Sequence, residues 1–309
     1  MTKKFRLFCA IDLGQSNTRW VVSSESEEIT EGVTGKGIIN VLLPNGREVL
    51  RGNLESVREA TNMFDFQVVS IAATGIEKER AEYSVAIEIA EKVFRGKRVI
   101  LNSDIVAFHL ANFDRGPGII LHAGSGTFAY GTDGLGNSVK VGGWGYLLGD
   151  IGGGYWTGLK GVQEAVKSLD GLNKSERLAQ EFYNYLGVRT KNEIKPAVYN
   201  ESFSAREISG FCKVVFSLAK EGDPVCREII REGAMALAEM VIPVIVKLNI
   251  SEPTLCLAGK LLEEEGVYRN QVVESLHKIF GKDISYFVRT HTALYGAKIV
   301  ALGELEGKE

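Results

Sequence analysis

The chain has 309 residues, enough for two domains at roughly 150 residues each. Apolar residues make up 45% and charged residues 24%. Lys+Arg 36 against Asp+Glu 39 leaves a net charge of −3, which excludes the basic excess of a dedicated nucleic-acid binder, and no apolar run approaches the ~18 residues of a membrane span.

Two short apolar runs, 7–11 and 20–22, flank the polar segment Asp12-Leu-Gly14-Gln15-Ser16-Asn17-Thr18, which predicts a hairpin. Asp12 interrupts the first run and no cleavage-like site follows, so it reads as a strand and not a signal peptide. Residues 68–73 predict a buried strand, and Ala81, Val85, Ile89 and Val93 predict one face of a helix over 77–93. A strand at 99–101 leads into Asn102-Ser103-Asp104, a helix cap. Asp114-Arg115-Gly116-Pro117-Gly118 marks the domain boundary, giving expected domains of 1–115 and 116–309, with the last helix packing back on the first.

After that boundary the pattern restarts. A strand at 119–121, the small-residue turn Ala123-Gly124-Ser125-Gly126-Thr127 and a strand at 128–130 resemble the opening hairpin and hint at an internal duplication. Glycines crowd 142–158: Gly142, Gly143, Gly145, Gly149, Gly152, Gly153, Gly154 and Gly158. Residues 159–248 read as helical, with Asp223-Pro224 opening a helix whose stripe of Ala234, Leu237, Ala238, Val241, Ile245 and Leu248 is core. Strands at 254–258 and 284–288 and a closing helix over 292–302 complete the chain. Cys9, Cys212, Cys226 and Cys256 are far apart and read as buried, reduced thiols of a cytoplasmic protein.

No Walker-type loop and no Gly-x-Gly-x-x-Gly is present. Asp12 with the following Gly14, Gln15, Ser16, Asn17 and Thr18 suits a phosphate with a hydrated magnesium ion; a capped β-turn would look the same. Gly124 to Thr127 could cradle a second phosphate or be a plain hairpin turn. Asp104 could accept a hydroxyl proton during phosphoryl transfer or merely cap its helix. Trp144 beside Asp150 suits a polyhydroxylated ring, the aromatic stacking and the acid accepting hydrogen bonds. His109 and His122 read as structural.

Taken in order, Asp12-Leu-Gly-Gln-Ser-Asn-Thr, Asn102-Ser-Asp104, Gly124-Ser-Gly126-Thr and Gly142-Gly-Trp-Gly-Tyr-Leu-Leu-Gly-Asp150 resemble the N-acetylglucosamine kinases. Those enzymes lie within the BadF/BadG/BcrA/BcrD ATPase family of the actin, hexokinase and chaperone ATPase superfamily. The resemblance implies an α/β fold of two ribonuclease H-like domains with a central cleft. It also implies ATP and Mg²⁺ as cofactors, a small sugar as substrate, and a subunit that could pair as a homodimer. It assigns Asp12 to magnesium, Asp104 to the base and the sugar, and Gly124, Ser125, Gly126 and Thr127 to the nucleotide, with Ala258 and Gly259 as the adenosine motif. Trp144, Gly145 and Asp150 would line the sugar pocket, with Asn40, Thr74 and Gly75 at its edge. Ile151 stands where the family usually has Glu, Gly153 where it has a small polar residue, and Ala258 where it often has Gly; several hexoses are therefore expected to be accepted. The activator ATPases of the same family need loop cysteines to share an iron–sulfur cluster, and a sensor that binds without turnover is the non-enzymatic alternative.

Overall fold

The computed structural model describes residues 6–35, 37–38, 40–200, 203–281 and 284–307. The chain divides into two units, residues 1–116 with 290–309, and residues 117–289. No helix among the described residues is long and apolar enough to cross a membrane.

The first unit opens with β1 (Leu7–Leu13), β2 (Thr18–Ser24) and β3 (Glu28–Thr34), then α1 (Gly46–Ala60), β4 (Val68–Ala73), α2 (Ala81–Val93), β5 (Arg98–Ser103) and α3 (Asp104–Phe113). Its sheet runs β3-β2-β1-β4-β5, with β2 antiparallel and β4 parallel to β1. Alternation along β1 serves two cores. Cys9, Ile11 and Leu13 pack with Leu50, Leu54 and Val57 of α1 and with Ala86, Ile89 and Ala90 of α2. Phe8 and Ala10 face the opposite side and pack with Ala107 of α3.

The second unit repeats the plan: β6 (Gly118–Ala123), β7 (Thr127–Thr132), β8 (Ser138–Gly142), then α4 (Gly154–Leu169), α5 (Glu176–Leu186), α6 (Lys191–Val198), α7 (Ala205–Gly210), α8 (Cys212–Lys220), α9 (Pro224–Leu248), β9 (Thr254–Ala258), α10 (Lys260–Glu264), α11 (Gly266–Phe280) and β10 (Ser285–Val288). Its sheet order is β8-β7-β6-β9-β10, the first unit's order element for element. The duplication hinted at by two polar turns is thus a duplication of topology. The α9 stripe is core, Leu237, Val241 and Val244 packing with Ile119 and Leu121 of β6. The final helix, α12 (Ala293–Glu306), belongs to the first unit, where Ala297, Ala301 and Leu305 cover Phe8 and Ala10.

Several local expectations shift. The helix expected from residue 77 starts at Ala81, which is exposed, and its buried face is Ala86, Ile89, Ala90 and Val93. β3 and α1 gave no clear signal. β3 is an edge strand whose alternation of Glu, Thr and single apolar residues leaves it mostly exposed. Gly158 does not serve a ligand loop. It is buried inside α4, where a Cβ would sit 1.9 Å from the carbonyl oxygen of Ile208.

Candidate active site

In the first unit the strand register brings three residues from distant parts of the chain together. Asp12 lies level with Ala72 on β4, and Ala72 lies level with Asn102 on β5. Two residues beyond those partners come Thr74 and Asp104, just past the strand ends. The Thr74 N–H donates to the carbonyl of Leu13 at 3.0 Å. Its hydroxyl donates to Asp104 Oδ2 at 2.7 Å. This is the carboxyl end of the parallel strands, where open α/β sheets bind ligands. A separate cavity of about 780 Å³, lined by Arg58, Phe64, Phe94 and Arg95, lies at the opposite end of the same sheet and holds none of these groups.

Asp104 was open to two readings, a base or a helix cap, and the cap position itself belongs to its neighbour. The cap is Ser103, whose Oγ accepts from the Ile105 N–H at 3.2 Å. Asp104 is the first helical residue, where the helix dipole favours a negative charge. Asp12 is largely enclosed. Burial pushes its carboxyl up to about 6, the negative charge of Asp104 pushes the same way, and Arg19, its cross-strand partner on β2, opposes both.

The segment after Asp12 is a tight turn: the Gly14 N–H donates to the carbonyl of Asn17 at 3.1 Å, and the Gly14 carbonyl accepts from the Ile38 N–H at 3.0 Å. Gln15 and Ser16 are exposed and Asn17 is half-buried, whereas Thr18 is fully buried at the start of β2. Gly75 has a φ of 72°. Asn40 is exposed, and its amide is engaged locally: Oδ1 accepts from the Leu42 N–H at 2.8 Å, and Nδ2 donates to Glu82 at 3.1 Å.

In the second unit the turn between β6 and β7 is closed by the Gly124 N–H donating to the Gly126 carbonyl at 2.9 Å. The Gly124 carbonyl accepts from the Gly154 N–H at 2.8 Å, tying the turn to the start of α4. Ser125 is exposed; Thr127 is buried, its hydroxyl donating to the Ile151 carbonyl at 3.2 Å. Asp150 has a φ of 56°, a left-handed conformation uncommon outside glycine. Its carboxylate lies against Gly126, where a Cβ would fall 2.4 Å from Oδ2. Asp150 Oδ1 is buried with no hydrogen-bond partner in the protein. Trp144 is 72% exposed, with Tyr146, Leu147 and Leu148 exposed beside it.

Residues not singled out from the sequence hold this region. Tyr268 is fully buried and its hydroxyl donates to the Gly152 carbonyl at 2.7 Å, anchoring the glycine-rich segment from α11. Glu263 accepts from the Gly259 N–H at 2.8 Å and pairs with Arg289. An acid four residues after a helix-opening glycine was the one local sign of Glu263; nothing local marked Tyr268. Burial lowers the His122 imidazole to about 4, so it is neutral, stacked on Phe128 at 4.8 Å.

A family model described as the BadF/BadG/BcrA/BcrD ATPase family matches residues 10–300. An N-acetylmuramic acid/N-acetylglucosamine kinase of Clostridium acetobutylicum is 24% identical over 303 residues, covering 96% of this chain and 98% of that protein. Among solved structures, a candidate N-acetylglucosamine kinase of Chromobacterium violaceum superposes with a TM-score of 0.71 at 17% identity, covering 97% of this chain and 100% of the other. The ROK hexokinase of Thermus thermophilus gives a TM-score of 0.61 at 15% identity, with 98% and 100% covered. These structural likenesses establish the fold: two α/β units, each built on a five-stranded mixed sheet.

Proposed function

Because the chain belongs to the BadF/BadG/BcrA/BcrD ATPase family, we propose that it is an ATP-dependent kinase of amino sugars and related hexoses, with N-acetylglucosamine and N-acetylmuramic acid the first acceptors to try. The observation that carries the reading is the grouping of Asp12, Thr74 and Asp104 at the carboxyl ends of β1, β4 and β5. Asp104 takes the proton of the attacking sugar hydroxyl while Thr74 holds the carboxylate in one orientation. The sugar oxygen bonds the γ-phosphorus as the bond to the ADP oxygen breaks. Phosphoryl transfer asks for positioning and charge neutralisation more than for covalent chemistry.

Asp12 would hold Mg²⁺. A buried carboxylate whose charge is disfavoured, beside a second carboxylate, suits an ion that takes one or two acids and fills its shell with waters and phosphate oxygens. Bound there, the ion neutralises phosphate charge. In the second unit, Gly124, Ser125 and Gly126 offer backbone and hydroxyl groups to the nucleotide, Thr127 braces that turn, and Ala258-Gly259 meets the adenosine. Trp144 stacks on the sugar ring, with Gly145 beside it, and Asp150 accepts from a sugar hydroxyl. The unpartnered, buried Oδ1 of Asp150 supports that last role, since a ligand hydroxyl would satisfy it. The four cysteines are buried, two in strands and two in helices, which supports a kinase over an activator that shares a metal cluster.

The test is sugar-dependent ADP release and sugar-phosphate formation with N-acetylglucosamine, N-acetylmuramic acid, glucosamine and glucose. No phosphorylated product with any of them would overturn the reading. Asp150→Ala is expected to raise the sugar KM at least about tenfold, because loss of a buried acceptor leaves the substrate hydroxyl unpaired. Its effect on the ATP KM is expected to be several times smaller. Steady-state kinetics in both substrates check this, and an unchanged sugar KM would remove Asp150 from the sugar site.

A further inference from the structure

Glu263 occupies a place that neither the catalytic cluster nor the glycine-rich segment explains. Gly259, which follows β9, has a φ of 87° and no room for a side chain: a Cβ would sit 2.4 Å from the Ala123 carbonyl oxygen and 2.9 Å from His122 Cε1. Its N–H donates to Glu263 Oε1 at 2.8 Å, and the same oxygen accepts from Arg289 Nε at 2.5 Å. Arg289 is itself fixed, its backbone N–H donating to the Leu257 carbonyl at 3.0 Å. On the other side, the His122 ring lies beside both turns, since a Cβ on Gly124 would also fall 3.2 Å from its Nε2. One neutral imidazole therefore spaces Gly259 from the Gly124–Gly126 turn, and one carboxylate pins Gly259 against it.

We propose that Glu263 is a positioning residue for the nucleotide: its carboxylate, held and neutralised by Arg289, fixes the Gly259 backbone relative to the Gly124–Gly126 turn. This rests on the reading of Gly259 as a nucleotide contact. The pairing gives the arrangement its logic. A bare carboxylate near a polyphosphate repels it, whereas one paired with a guanidinium keeps its strength as an acceptor without that repulsion. Glu263 then acts through the geometry it imposes, with no contact to the reacting atoms.

The test is calorimetric binding of magnesium with a non-hydrolysable ATP analogue to the full chain, with N-acetylglucosamine binding as the control. Glu263→Ala is expected to weaken nucleotide binding at least about tenfold, as expected for losing a charge-assisted hydrogen bond that orders the site. Sugar binding stays within about twofold on the same grounds. Glu263→Gln keeps an acceptor for Gly259 and is expected to recover most of the affinity. Arg289→Ala leaves the carboxylate unneutralised and weakens nucleotide binding, and the Glu263→Ala/Arg289→Ala double variant is no weaker than Glu263→Ala alone, the non-additivity of a coupled pair. Unchanged nucleotide affinity in Glu263→Ala, or equal loss in the alanine and glutamine variants, overturns the proposal. Should Glu263→Ala fail to fold, Arg289→Ala decides: nucleotide affinity equal to wild type overturns it. Wild-type protein that binds no nucleotide defeats the parent reading; wild-type binding with an indifferent Glu263 defeats this inference alone.

Discussion

Asp104→Asn is expected to lower the turnover number at least about a hundredfold while leaving the fold and the ATP KM nearly unchanged. The fold survives because Ser103 keeps capping α3 through the Ile105 N–H. Loss of the carboxylate at the first helical position costs about 0.3–1 kcal/mol of dipole interaction, too little to unfold the unit. Asparagine also retains an oxygen that can accept from the Thr74 hydroxyl, so the side chain stays where it is. What disappears is proton affinity. Rapid-quench or coupled-assay kinetics measure the loss directly. A second readout is independent of turnover. The Asp104 charge helps hold the Asp12 carboxyl high, so Asp12 should titrate lower in the variant, by carbon-detected NMR across pH 4 to 8. An enzyme with normal turnover, or an Asp12 titration that does not move, would return Asp104 to a structural role.

Asp12→Asn is expected to do two opposite things: abolish most magnesium-dependent phosphoryl transfer and stabilise the ligand-free protein. The sign follows from proton linkage. The Asp12 carboxyl stands at about 6 in the folded chain against the ordinary 3.8 of a solvated aspartate, so between those values the folded chain holds a proton that the unfolded chain has released. The contribution of Asp12 to wild-type stability therefore falls as pH rises from about 4 to about 6 and stays lower above it. Two pH units correspond to about 3 kcal/mol, an upper bound on what the neutral amide recovers at pH 7.5. Thermal melts should show the variant above wild type at pH 7.5 and level with it at pH 4. Mg·ATP reverses the order, since cation and nucleotide stabilise only a chain that binds them. Melts in which Asp12→Asn is less stable than wild type at pH 7.5, or Mg·ATP affinity equal in both, would remove Asp12 from the phosphate site.

How much of this could be read before folding depends on the range over which each feature is encoded. The two hairpins, the strands at β4, β5 and β9, the α9 stripe and the boundary near Gly116 were legible because alternation, helical period and turn chemistry are local. The motif order was legible for the same reason, each motif being a short run of neighbours. β3 escaped because an exposed edge strand has little apolar pattern to show.

An acid at the end of a buried strand, a second acid after another, two small-residue turns and a dense glycine segment are each written in a short run of neighbours. Which of these meet is set by the folded chain. Parallel pairing of β1, β4 and β5 sets Asp12, Thr74 and Asp104 side by side although nearly a hundred positions separate the first from the last. Other contacts between distant positions pair Arg289 with Glu263, seat Asp150 against Gly126, and return α12 to the first unit. Periodicity carries no information about such contacts, because strand order and register are chosen by the burial of whole faces and not by any short run of residues.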